Sequence, residues 1–73
     1  MDLRKLRERR GLTMQKLAEM SGLSVATIWM IENGKLSPTL RTMRKIAAAL
    51  NMSVEQLLRE AEGSGKAAVK GFN

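Results

Sequence analysis

Five helix-starting residues, each followed by a short amphipathic stretch and then a stop, limit what this chain can fold into. Asp2, Thr13, Ser24, Thr39 and Ser53 each carry a side-chain oxygen that can accept from a first-turn amide with no partner inside its own helix. Gly11, Ser21-Gly22, Asn33-Gly34 and Asn51 supply the matching ends, where a left-handed residue halts the helix. Between these marks the apolar residues recur at three- and four-residue spacing. Leu3 and Leu6 share a face of the first helix, and Leu17 and Ala18 turn inward on the second. Leu40, Met43, Ile46, Ala47 and Leu50 form the stripe of the fourth, and Val54, Leu57, Leu58 and Ala61 that of the fifth. Ser53-x-x-Gln56 has the form of a capping box, with each side chain meeting the other's backbone amide. No stretch alternates with the period of a strand, and β-branched and aromatic residues are few. The expectation is an all-α domain of five short helices.

Seventy-three residues make one domain with a modest core. No apolar run reaches the roughly 18–20 residues that span a bilayer, and the opening MDLRKLRERR lacks the apolar centre of a signal peptide. No membrane association is expected, and the expected compartment is the cytoplasm. The absence of Cys and His removes zinc-finger chemistry, a disulfide framework and the commonest general base. GSGK at 63–66 fails as a phosphate loop, because Glu60 stands where its first glycine belongs and Ala67 replaces the hydroxyl residue. No enzyme and no cofactor are expected. The formal charge of +6 favours a polyanionic partner, nucleic acid foremost. Arg4, Lys5, Arg7, Arg9 and Arg10 crowd the first helix, and Arg41, Arg44 and Lys45 the fourth. From Gly63 onward, GSGKAAVKGFN loses periodicity, so residues 1–62 read as the domain and 63–73 as a flexible tail or appended linker.

TMQKLAEMSGLSVATIWMIENGK, residues 13–35, sets Ala18, Gly22 and Ile28 where two helices cross closely through a short turn. With RERRGLT before it and SPTLRTMRKIAAALNMSVEQLL after it, the chain resembles the phage-repressor (Cro/Xre) family of helix-turn-helix regulators from about Leu3 to Leu58. The resemblance implies a compact, lambda-repressor-like five-helix domain with helices 2 and 3 as the helix-turn-helix. The third helix would enter the DNA major groove while the second lies across the backbone. It further implies a homodimer joined through the fifth helix, here Val54, Leu57, Leu58 and Ala61, on a pseudo-palindromic operator in double-stranded DNA. The bland alternative is that those four residues only complete the monomer core. An ion pair between Arg7 and Glu32 is also implied, fixing the third helix against the first. Phosphate contacts are carried over to Arg10, Thr13, Gln15, Lys35, Ser37, Thr39, Arg41 and Arg44.

The reading face departs from the family pattern. At about 100° per residue, Thr27, Ile28, Ile31 and Glu32 turn toward the domain, while Val25, Ala26, Trp29, Met30 and Asn33 turn away. Met14 stands where the family often has Gln and is expected beside them. The base-contacting surface is therefore apolar except for Asn33. Three readings stay open. The helix reads thymine methyls in an A·T-rich half-site, since apolar contact with the C5-methyl is a specific contact. Alternatively, the face of Met14, Val25, Trp29 and Met30 binds a protein partner or a second copy, because Trp and Met are enriched at interfaces. In the third, natural or engineered change has erased the base code and left general DNA affinity. Trp29 folding back over Val25 and Leu36 is the structural alternative for that residue. The operator, the sign of regulation and an antitoxin or restriction-controller role stay open.

Overall fold

A computed structural model describes residues 1–61. Residues 63–73, read above as a tail, lie outside the described residues. Five helices follow one another: α1, Leu3–Arg9; α2, Met14–Ser21; α3, Val25–Glu32; α4, Leu40–Ala49; and α5, Val54–Ala61. Among the described residues there is no strand, so the all-α expectation holds.

Each start signal acts as its chemistry dictates. Asp2 accepts from the amide of Lys5 at 3.0 Å, Thr13 from Lys16 at 3.0 Å and Ser24 from Thr27 at 3.0 Å. Thr39 accepts from Thr42 at 3.2 Å and Ser53 from Gln56 at 3.0 Å. Such a cap stabilises its helix by about 1 kcal/mol, a large share for helices of ten residues or fewer that cannot stand alone in water. The capping box on α5 closes only halfway. The Gln56 amide nitrogen donates to Glu60 Oε2 at 2.9 Å instead of Gln56 returning to Ser53. The turn between α2 and α3 uses Gly22 at φ +73°, whose amide donates to the Ala18 carbonyl. Asn51 ends α4 at φ +59°, in the left-handed region that Asn tolerates better than most side chains.

The core gathers Leu3, Leu6, Leu17, Ala18, Ile28, Ile31, Ile46, Ala47, Leu50, Leu57 and Ala61. α2 packs on both α3 and α4, α4 on α5, and α1 on α5 and α3. The Asp2 amide donates to the Ala61 carbonyl, and Arg10 reaches Glu60 at 3.7 Å, so both ends of α1 are tied to the last turns of α5. No described helix is long and apolar enough to cross a membrane.

One stripe expectation needs correction. Leu40 is 50% exposed. As the first residue of α4 it lies a turn outside the core, and the buried stripe begins at Met43. On α5, Leu57 and Ala61 are fully enclosed within the monomer. Their burial in the single chain fits the alternative that they complete the monomer core. Val54 and Leu58 are half-buried, with Val54 packed against the core.

Candidate nucleic-acid interface

α3 is fixed at both ends before it presents anything outward. At its start the Ser24 cap is joined by a hydroxyl contact of 2.9 Å between Ser24 and Thr27. Along its inner side Ile28 is fully buried and Ile31 nearly so, against small Ala18 on α2. At its end Glu32, whose carboxylate side chain is wholly enclosed, meets the guanidinium of Arg7 in a two-point fork. Arg7 Nε lies 2.7 Å from Oε2 and Nη2 3.0 Å from Oε1. The remaining arm, Nη1, donates to the Leu12 carbonyl at 2.7 Å. Arg4 adds a second cation at 3.6 Å from Glu32. The hydrogen bond to Glu32 is the main cause that raises the Arg7 guanidinium above its ordinary value, with burial opposing. A buried carboxylate held this way is a structural tie. Removing one member leaves an uncompensated charge.

The outer side of α3 carries Trp29 at 45% exposure, Val25 at 39% and exposed Ala26. Met30 is half-buried. Trp29 is not folded away from solvent, and Leu36, suggested as its cover, is itself exposed. Two residues assigned to this face differ from expectation. Met14 is half-buried and packed against the hydrophobic core, so it belongs as much to the interior as to the outer surface. Asn33 is exposed, but its amide nitrogen donates to the Trp29 carbonyl at 2.9 Å. The Trp29 carbonyl also accepts the Asn33 backbone amide at 3.0 Å, so the side chain adds a second bond to an acceptor the helix already uses. The two-point contact that an adenine edge asks of Asn competes with that bond.

Of the residues expected to touch phosphate, Thr13, Gln15, Lys35, Ser37, Thr39, Arg41 and Arg44 are all exposed. Thr13 and Thr39 cap α2 and α4, and the other first-turn amides of a helix have no partner within it and share the positive end of its dipole. Arg10, also exposed, is engaged with Glu60. Within residues 20–54 the chain contains Lys35, Arg41, Arg44 and Lys45 against one carboxylate, Glu32. Because Glu32 is enclosed and neutralised by Arg7, the α3–α4 half presents cations without anions among the described residues. The other six carboxylates lie on α1, α2, α5 and beyond. Sequence reasoning missed this asymmetry, though the spacing of acidic residues carries it. It also missed the mutual engagement of the Ser24 and Thr27 hydroxyls and the pairing of Arg10, which depend on the fold.

A capped, electrically pinned helix behind a tight turn, in a domain whose next helix is basic, defines a helix-turn-helix DNA-binding domain. Comparison with known proteins gives the same result: a family model described as helix-turn-helix matches residues 3–57. The chain belongs to this Cro/C1-type helix-turn-helix family. It is 48% identical over 60 residues to an uncharacterized HTH-type transcriptional regulator, RghRB, of Bacillus subtilis, covering 81% of this chain and 43% of that protein. The HTH-type transcriptional repressor RghR of the same organism is also 48% identical over 60 residues, covering 81% and 44%. HTH-type transcriptional regulator SutR of Escherichia coli is 44% identical over 50 residues, covering 68% and 28%. The chain thus spans less than half the length of these relatives. Family and relatives are those of DNA-binding transcriptional regulators, not of enzymes.

Proposed function

We propose that this chain is the operator-reading module of a transcriptional regulator, setting α3 in the major groove and holding the flanking backbone with α2 and α4. The observation that carries the reading is the exposed outer side of α3 within a stretch, residues 20–54, whose only carboxylate is enclosed. Thr13 and Gln15 at the start of α2, and Lys35, Ser37, Thr39, Arg41 and Arg44 leading into α4, grip phosphate. These contacts give affinity and register but no sequence information. Arg10 joins them by exchanging Glu60 for a phosphate, at small cost, since a half-exposed ion pair contributes at most about 1 kcal/mol. Val25, Ala26, Trp29 and Met30 meet the base edges. Binding as a homodimer on a pseudo-palindromic duplex fits this docking geometry. On α5 only Val54 and Leu58, together with the polar side chains around them, retain surface for such a pairing.

A second reading rests on the same exposure. The apolar outer face of α3 would seat a protein partner or a second copy, with DNA contacted only by its backbone. The two separate in a mobility shift against a randomised duplex pool at two salt concentrations, with the retained pool sequenced. The operator reading expects an enriched motif and an affinity that falls steeply with salt, with a log-log slope of about −0.9 per phosphate neutralised. Arg41→Ala combined with Arg44→Ala should weaken binding to every duplex alike and flatten that slope by roughly 2. Retention without an enriched motif would favour the protein-interface reading. A loss confined to one duplex would overturn the division between backbone and base contacts.

A further inference from the structure

We propose that α3 identifies pyrimidines by their C5-methyl group alone, so that 5-methylcytosine opposite guanine is accepted where thymine opposite adenine is accepted. The inference rests on the reading of this chain as a duplex-binding module and names the chemical group that the module recognises. The polar groups on and around α3 each hold at least one bond within the domain. The Ser24 and Thr27 hydroxyls contact each other at 2.9 Å while Ser24 caps the helix. Asn33 donates to the Trp29 carbonyl, and Glu32 is enclosed in its fork with Arg7. What remains outward is Val25, Ala26, the Trp29 ring and part of Met30. Charge decides the occupant of this apolar surface. Lys35 follows α3 directly and Arg41, Arg44 and Lys45 lie on the next helix, with no exposed carboxylate in residues 20–54, which suits a polyanion.

In the major groove thymine and cytosine differ by an O4 acceptor against an N4 donor, and thymine adds the methyl. A surface of methyl, methylene and aromatic carbon cannot distinguish the acceptor from the donor, but it gains from covering the methyl. Among Val25, Ala26, Trp29 and Met30 only the Trp29 indole carries a donor, and the N7 acceptor it could meet is common to adenine and guanine. Selectivity therefore follows the methyl rather than the base pair. Each methyl removed from such a contact weakens binding about fourfold, the equivalent of one buried methylene-sized group.

The test uses a duplex enriched from the randomised pool and anisotropy titrations at fixed salt. Thymines at the enriched positions are replaced in turn by uracil opposite adenine, by 5-methylcytosine opposite guanine and by cytosine opposite guanine. The proposal expects thymine and 5-methylcytosine duplexes to bind alike, and uracil and cytosine duplexes to bind about fourfold more weakly per position. In Trp29→Ala and Val25→Ala chains, whose helix content is checked by circular dichroism, the uracil penalty should shrink toward none. The proposal is overturned if uracil binds as thymine does, or if 5-methylcytosine binds no better than cytosine. It is also overturned if the penalty survives both substitutions. Should no duplex be enriched at all, the operator reading falls first, before any base is replaced, and this proposal falls with it.

Discussion

α3 and α5 are both eight residues long and both rich in apolar side chains, yet they spend them differently. α5 sorts its residues by face. Leu57 and Ala61 are wholly enclosed, while Glu55 and Arg59 lie outside. α3 is apolar nearly all round. Ile28 and Ile31 fill the core, and Val25, Ala26 and Trp29 remain at the surface. A helix apolar on every side is ordinarily buried on every side, and this one is not. The contrast locates the unused apolar surface of the domain on α3 rather than α5. α3 also ends in the buried Arg7–Glu32 fork, which ties it to α1.

Breaking that tie should have the largest effect. Glu32→Ala leaves the enclosed Arg7 guanidinium without its partner, an arrangement that costs about 3–5 kcal/mol, measurable by urea denaturation. Against the 5–15 kcal/mol typical of folded domains, that loss could leave the chain largely unfolded. The pH dependence has a fixed sign. Arg7 is raised above its unfolded value, so its contribution is complete at neutral pH and is lost only as pH climbs through the strongly alkaline range. Stability between about pH 6 and 9 should therefore show no change traceable to Arg7.

The α3–α5 contrast itself is tested by two truncations. Leu57→Ala opens a cavity in the sealed core and should lower unfolding free energy by about 2–5 kcal/mol. Trp29→Ala removes a larger side chain, yet one that is 45% exposed, and should lower stability by about 1 kcal/mol or less. Its effect belongs to binding, where at least a tenfold loss of affinity for the enriched duplex is expected, as for a buried aromatic contact. If Trp29→Ala destabilised the fold as much as Leu57→Ala, Trp29 would be core and the contrast would vanish.

The fold was legible because its signals are local. A cap needs only its own helix's third amide, so Asp2, Thr13, Ser24, Thr39 and Ser53 could be read one at a time. The reading of α3 into inner and outer sides also survives, since periodicity fixes which residues share a face. What periodicity does not fix is whether a stripe is wholly consumed. Leu57 and Ala61 look the same in sequence whether they serve one chain or two, and only the packing of α1 and α4 around them decides. Leu40 fails for the converse reason, as a correct phase at a helix end does not guarantee a neighbour. Polar side chains were least legible. Asn33, Gln56 and Arg10 were each expected to act elsewhere, at a base edge, on Ser53 and on phosphate, but Asn33 and Gln56 bond four residues away along the chain, to the Trp29 carbonyl and Glu60, and Arg10 meets Glu60 across the fold.

Asn33 gives the smallest and most discriminating test. If its amide serves α3 as a cap, Asn33→Ala should cost about 1 kcal/mol or less of stability, the net worth of one exposed hydrogen bond. The sequence preference of the enriched pool should be unchanged, because a helix held by Ser24, Ile28 and the Arg7–Glu32 fork keeps its position, and the Trp29 carbonyl keeps its bond from the backbone amide of residue 33. If instead Asn33 leaves the Trp29 carbonyl to make the two-point contact with an adenine edge, the same substitution should relax one position of the motif, at roughly 1–3 kcal/mol of discrimination. Selection of the pool with both chains in parallel separates the outcomes. A retained motif with a slightly lower denaturation midpoint assigns Asn33 to the scaffold. A lost adenine with an unchanged midpoint returns it to the reading face and gives α3 the polar contact its outer surface otherwise lacks.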